Sequence, residues 1–318
     1  MKNKILVTGC AGFIGSHTCE QLLKNPNNII YGLDNLDPYY DIDLKKKNLE
    51  LLSKYKNFSF YQEDILKTQI IKEKEPSIVI HLASLAGVRN SLQNPEKYAE
   101  VNIIGFIHLL EQFRNLSYVK NKMSTKFKFI FASSSSVYGT NTKLPFEETD
   151  DLNNINSPYA ASKRAMEIYA QTYSQLYNIN IFGLRFFTVY GPRGRPDMAP
   201  YKFIKAIQEG REIVKYGDGN TFRDYTYVLD IVNGIIKSIN LDKEGYHIYN
   251  LGNGNPITLN KFIALCENVT DKKALVKEIK AQNGDVPGTF CSTQKAEKDL
   301  EYKPKFSLKE GLKNIISN

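Results

Sequence analysis

Short apolar runs at 4–8, 29–33, 58–61, 78–82 and 127–131 alternate with longer stretches of helical periodicity. Runs this short, rich in Ile, Leu, Val and Phe, read as strands. The intervening stretches predict helices over 16–24, 66–73 and 99–113. A longer helix is expected from Ser157, a good N-cap followed by Pro158 at the first helical position, through Met166, Ile168, Tyr169, Tyr173 and Leu176. A strand over 179–187 follows it. Strand–helix alternation of this kind predicts an α/β fold, a Rossmann-type doubly wound parallel sheet. Beyond residue 188 the order of elements loosens, which suggests a smaller C-terminal substrate-binding domain. The expected division is 1–188, with about 228–252, for the first domain, and 189–227 with 253–318 for the second.

The first strand runs into Gly9-Cys-Ala-Gly-Phe-Ile-Gly15 and then a helix. Glycines let backbone approach a pyrophosphate closely, and a helix N-terminus offers N–H groups and the positive end of a dipole. The second strand ends at Asp34, nineteen residues after Gly15. A carboxylate there suits the adenosine ribose hydroxyls and repels a 2′-phosphate, so NAD is expected rather than NADP. Asp64-Ile65 and Leu82-Ala83-Ser84 lie at or after other strand ends, the edge where such sheets bind ligands.

Tyr159 and Lys163 stand four apart on the predicted helix and share one face. A phenol with a pKa of ~10 is a poor base at neutral pH, and a nearby ammonium favours the phenolate. Tyr159 is therefore a candidate for proton exchange with a substrate hydroxyl. Ser133, Ser134, Ser135 and Ser136 close the strand before it, and one of these hydroxyls is expected to bond the same substrate oxygen. The Gly- and Pro-rich segment 188–198 reads as an irregular, ligand-facing loop.

Composition narrows the choice. The 318-residue chain has 42% hydrophobic and 24% charged residues, as ordinary globular proteins do, with a formal charge of +8 that suits an anionic small substrate. The basic run Lys45-Lys46-Lys47 reads as a solvated helix face, not a nucleic-acid patch. Cys10, Cys19, Cys266 and Cys291 show neither a paired framework nor metal-ligand spacing, and the four histidines are scattered, so no metal site is expected. No apolar run approaches the ~20 residues of a membrane span, and the N-terminus lacks the regions of a signal peptide. A cytoplasmic location without membrane or nucleic-acid partners is expected.

The glycine turn, the serine run, Tyr159-x-x-x-Lys163 and Tyr216-Gly-Asp-Gly-Asn-Thr-Phe-Arg-Asp-Tyr-Thr-Tyr227 resemble the extended short-chain dehydrogenase/reductase superfamily. Within it, His81-Leu-Ala-Ser-Leu-Ala-Gly-Val-Arg-Asn-Ser91, Arg185-Phe-Phe-Thr-Val-Tyr-Gly-Pro192 and Gly194-Arg-Pro-Asp-Met-Ala199 are most similar to the UDP-glucuronate 4-epimerases. The resemblance covers essentially the whole chain. It implies catalysis by Ser134, Tyr159 and Lys163, with Lys163 both lowering the tyrosine pKa and bonding the nicotinamide ribose. It implies NAD contacts from Gly9, Gly12, Phe13, Ile14, Gly15, Asp34, Asn35, Asp64, Ile65, Leu82, Ala83, Ser84, Asn102, Tyr159, Lys163, Phe186 and Val189. Substrate contacts are implied for Arg89, Ser134, Ser135, Ser136, Thr188, Arg195, Lys202, Arg223 and Asp285, and a homodimer through the helices near 99–113 and 159–177.

Related dehydratases carry Asp-Glu directly after the catalytic Ser/Thr, and the decarboxylases a Glu at the second place; here stand Ser135 and Ser136. Without a carboxyl group there, removal of water or of a C5 proton lacks its usual agent, which favours epimerisation. Neutral-hexose epimerases usually have Asn at Thr188, whereas the uronate enzymes pair Thr with an Arg matching Arg195; an Arg fork suits a carboxylate. Lys202 stands where the uronate family tends to have Arg, Arg193 where it has Trp, and Pro200 is unusual. The alternatives are a neutral UDP-hexose or UDP-N-acetylhexosamine 4-epimerase, a UDP-glucuronate decarboxylase, and a non-catalytic NAD- or RNA-binding protein.

Overall fold

The computed structural model describes residues 2–119, 126–280 and 288–317. Seven parallel strands form the central sheet: β1 (Asn3–Thr8), β2 (Asn28–Leu33), β3 (Phe58–Tyr61), β4 (Ile78–His81), β5 (Lys128–Ser134), β6 (Asn180–Phe186) and the strand Tyr246–Leu251. They lie in the order β3-β2-β1-β4-β5-β6 with Tyr246–Leu251 at the far edge, so the chain reverses direction across the sheet between β1 and β4. That reversal opens a crevice at the carboxyl ends of the strands, the expected place for a ligand. β1, β4, β5 and β6 are buried along most or all of their length, which is why they read as apolar runs.

Register decides what reaches the crevice. Thr8 pairs with both Leu33 and His81, so Gly9, Asp34 and Leu82 leave the sheet at one level. β5 pairs Phe131 with His81 but continues to Ser134 alongside Phe186 of β6. At about 3.3 Å per residue, Ser134 overhangs that level by roughly 7 Å. The sheet is covered on one side by α1 (Phe13–Leu23) and the helix Val228–Asn240, and on the other by the helices Gly105–Val119 and Pro158–Tyr177. A separate apolar cluster of Tyr190, Ile204, Ile207, Tyr225, Tyr227, Phe262 and Leu312 organises the C-terminal elements.

Two helices differ from the sequence expectation. The helix expected over 66–73 is shortened to Ile70–Lys74, because Asp64 accepts from Leu66 N and Thr68 from Ile70 N, holding 64–68 as a turn. Side chains of this kind compete with helical hydrogen bonds. The helix expected from 99 begins as a π-turn, Ala99–Ile104, before Gly105–Val119. Buried Asn102 in that turn exchanges hydrogen bonds with the backbone of Leu85 and bonds Ser162.

Candidate active site

A cavity of about 600 Å³ runs from the glycine turn to the first turn of the Pro158–Tyr177 helix. At one end, Gly15 packs so tightly that a Cβ would lie 2.0 Å from the Gly9 carbonyl oxygen, which holds the turn against α1. Gly12 caps α1 with no side-chain bond, and its first turn contains no acid. The helix therefore presents its N–H groups and dipole to the cavity, as a pyrophosphate requires. Asp34 lines the same end, one oxygen accepting from Ala11 N at 3.1 Å and the other from Leu36 N at 2.9 Å. This combination fits a dinucleotide.

At the other end, Ser157 caps the helix by accepting from Ala160 N at 3.2 Å, and Pro158 takes the first helical position as the sequence predicts. That cap aims Tyr159 into the cavity, where its phenol is hydrogen-bonded to Ser134. Ser134 itself accepts from Ser136 N and donates to Ser136 Oγ, both at 3.1 Å. Burial raises the Tyr159 pKa, while the Ser134 bond and the Arg195 charge pull it down. Lys163 stands one turn further along the same helix. Its buried Nζ donates to Ser84 Oγ at 2.9 Å and Ala132 O at 2.8 Å, and desolvation lowers its pKa to about 7 against the charge of Glu167. Arg195 is a positive charge that favours the Tyr159 phenolate.

Glu167, one turn beyond Lys163, is fully buried beneath the site. It accepts both Arg185 Nε and Nη2 at 2.9 Å and the Ser133 hydroxyl at 2.6 Å. Arg185 also donates to Tyr138 OH, which donates to Asn250. Every charge in this set is paired, the condition under which buried ions are tolerated. The network joins the helix carrying Tyr159 to the strand carrying Ser134.

The cavity wall contains all the residues implied for NAD except Asn102, which lies behind it, bound to Leu85 and Ser162. It also contains Arg89, Ser134, Ser135, Ser136, Thr188 and Arg195. Lys202 and Arg223 stand outside it. Lys202 is exposed, because the helix Ala199–Gln208 buries Pro200, Ile204, Ala206 and Ile207 instead; Arg223 donates to the Phe222 carbonyl. Asp285 lies outside the described residues. Pro200 sits in the first helical turn, where its missing N–H leaves no bond unmade. Arg193 ties its loop to α1 through Glu20 and His17.

Other wall residues escaped the sequence reading. Lys45 is not part of a solvated face: it is buried, donates to Asp37 O at 3.0 Å and stands 3.8 Å from Asp34. Tyr39, Tyr40, Gly87 and Asp197 also line the cavity. Asp197 takes the Nε and Nη2 donors of Arg195. The one signal for Tyr39 and Tyr40 was their place after a strand end. Among the described residues, no cluster could hold a metal ion and no helix is long and apolar enough to cross a membrane.

The GDP-mannose 4,6 dehydratase family matches residues 6–315. The chain is 43% identical over 317 residues to the UDP-glucuronate 4-epimerase of Thermodesulfobacterium geofontis, spanning 98% of this chain and 94% of that protein. The crystal structure of UDP-glucuronic acid 4-epimerase from Bacillus cereus in complex with UDP-glucuronic acid and NAD superposes with a TM-score of 0.90 at 36% identity, covering 99% of this chain and 98% of that one. A UDP-N-acetylglucosamine 4-epimerase from Methanobrevibacter ruminantium, in complex with UDP-N-acetylmuramic acid, gives a TM-score of 0.89 at 30% identity over 100% and 98% of the two chains.

Proposed function

Since the chain belongs to the extended short-chain dehydrogenase/reductase family of sugar-nucleotide enzymes, we propose that it inverts C4 of a UDP-hexuronic acid. The reaction interconverts UDP-glucuronate and UDP-galacturonate, with NAD as the resident cofactor. The observation that carries this reading is Arg195 beside Tyr159 in a cavity where Ser134 is followed by two hydroxyls instead of carboxyl groups.

The glycine turn, Asp34, Asn35, Asp64, Ile65, Leu82, Ala83, Ser84, Lys163, Phe186 and Val189 would hold NAD. Bound there, NAD would supply a reversible acceptor for the C4 hydride. Tyr159 as phenolate removes the 4-OH proton, with Ser134 bonded to the same phenol. The 4-keto sugar then presents its other face, and Tyr159 returns the proton to the inverted oxygen. This keto sugar is a β-keto acid that can lose carbon dioxide. Thr188 and Arg195 holding its carboxylate disfavour that loss.

Incubation of the protein with UDP-glucuronate, followed by proton NMR with and without added NAD, should yield UDP-galacturonate without net NADH. A pentose product would replace this reading by decarboxylation. Turnover of UDP-glucose or UDP-N-acetylglucosamine alone would keep the mechanism and overturn the role given to Thr188 and Arg195.

The 1–188 and 228–252 segments then serve as the cofactor lobe and the remainder as the UDP-sugar lobe. The sheet core supports this, since it includes Val228, Ile231, Tyr249 and Leu251, although Ala296, Leu300 and Tyr302 join it too. Four buried free cysteines suit a cytoplasmic location. A homodimer completes the reading. The Pro158–Tyr177 helix leaves Ile168, Tyr169, Leu176 and Tyr177 exposed, Leu176 by 66%, and Ile104 is exposed on the neighbouring π-turn. Sedimentation should show a dimer at micromolar concentration that Leu176→Asp dissociates; a wild-type monomer would end the dimer reading.

A further inference from the structure

Arg195 arrives in the cavity with its charge already matched. Asp197 accepts from Nε at 2.9 Å and also from Nη2. A substrate carboxylate therefore meets an arginine whose side edge is occupied, and one further donor would decide whether a carboxylate binds better than a neutral hydroxymethyl group. Tyr39 stands at that place. Its phenol oxygen accepts from Arg195 Nη2 at 3.1 Å, and its ring lies under the guanidinium, 4.9 Å from the carbon to the ring centre. Because the oxygen uses a lone pair on Arg195, its own O–H remains to be given to an acceptor in the cavity.

The position is built, not incidental. Tyr39 N donates to Asp37 Oδ1 at 2.9 Å, and Asp37 is itself held by Lys97 at 2.9 Å and by Lys45 on its carbonyl at 3.0 Å. Opposite, Gly87 has φ +103°, and a Cβ there would lie 2.8 Å from the Tyr39 hydroxyl and 3.6 Å from Arg195 Nη2. The absence of a side chain leaves room for the phenol and the guanidinium to meet. Both groups also act electrostatically on Tyr159, in opposite senses, which places them near the reacting end of the cavity.

We propose that Tyr39 is a specificity-determining residue: it supports Arg195 from below and donates its hydroxyl proton to the C5 carboxylate of the substrate, so the loop after β2 serves both ligands. This rests on the uronate reading above. One hydrogen bond to a charged group corresponds to about 10- to 100-fold in affinity.

The test is calorimetric titration of the NAD-loaded protein, in a Tyr159→Phe background that halts turnover, with UDP-glucuronate, UDP-glucose and UDP. Tyr39→Phe keeps the ring and should weaken UDP-glucuronate by about 10- to 100-fold, leaving UDP-glucose and UDP within about twofold. Equal weakening of all three ligands by Tyr39→Phe would show a merely structural role and overturn the proposal, as would unchanged affinity for UDP-glucuronate. If the Tyr39-containing protein does not prefer UDP-glucuronate to UDP-glucose, the uronate reading falls and this inference with it. A preference that survives Tyr39→Phe sinks this inference alone.

Discussion

Replacing Tyr159 by Phe is expected to lower kcat by about 10²- to 10⁴-fold, the usual contribution of a positioned acid–base group. Substrate and NAD should still bind, because the change removes one oxygen from a wall supplied by many residues. Burial holds the Tyr159 pKa above its ordinary value, so phenolate is the minority form at neutral pH and its fraction grows with pH. The rate of the unaltered enzyme should therefore show a rising limb that Tyr159→Phe abolishes. Ser134→Ala removes a bond that favours the phenolate and should move this limb to higher pH. Stopped-assay kinetics across the pH range check both. A Tyr159→Phe enzyme with near-normal kcat would remove the tyrosine from the mechanism.

Glu167→Gln is expected to destabilise the fold by about 3–5 kcal/mol, because it strands the buried Arg185 without its charge partner. For a chain of this size that corresponds to a fall in Tm on the order of 10 °C. Replacing Glu167 and Arg185 together by apolar residues should cost less than Glu167→Gln alone, since no lone ion remains. Lys143→Met, at an exposed lysine paired with Glu147 and Asp150, should leave Tm nearly unchanged. Thermal unfolding of the four proteins decides the matter, and an unchanged Tm for Glu167→Gln would refute the account of the network. A pH signature accompanies it. Burial lowers the Lys163 pKa from the ordinary 10.5 to about 7 in the folded protein, so the unfolded chain binds more protons between these values and stability rises with pH there. Glu167 is the charge that opposes this lowering, so its loss should extend the window to lower pH.

Much of this molecule is legible in its chain because the deciding physics is local. A glycine turn between strand and helix, an acid at the next strand end, and Tyr159 and Lys163 one helical turn apart all follow from short-range geometry and capping. These signals led to the parallel sheet and its ligand edge, and they single out Ser134, Tyr159 and Lys163 as the trio proposed for catalysis. The resemblance to the superfamily also pointed to epimerisation, since Ser135 and Ser136 stand where the related dehydratases and decarboxylases carry carboxyl groups.

Other features depended on which distant segments meet. Lys45 looked like one of three surface lysines, and only the path of the Asp34–Asp41 loop shows it buried against Asp37. Asn102 reads as a cavity residue until the π-turn places it behind the wall. Lys202 falls outside because burial of Ile204 and Ile207 sets the rotation of its helix. Arg195 promised a free fork, yet the fold gives part of it to Asp197 and sets Tyr39 beneath it across 156 residues of chain. No periodicity or spacing encodes such a meeting. It arises when sheet register and loop path bring four separate segments to one point, so the sequence determined the chemistry and the tertiary structure decided which side chains share it.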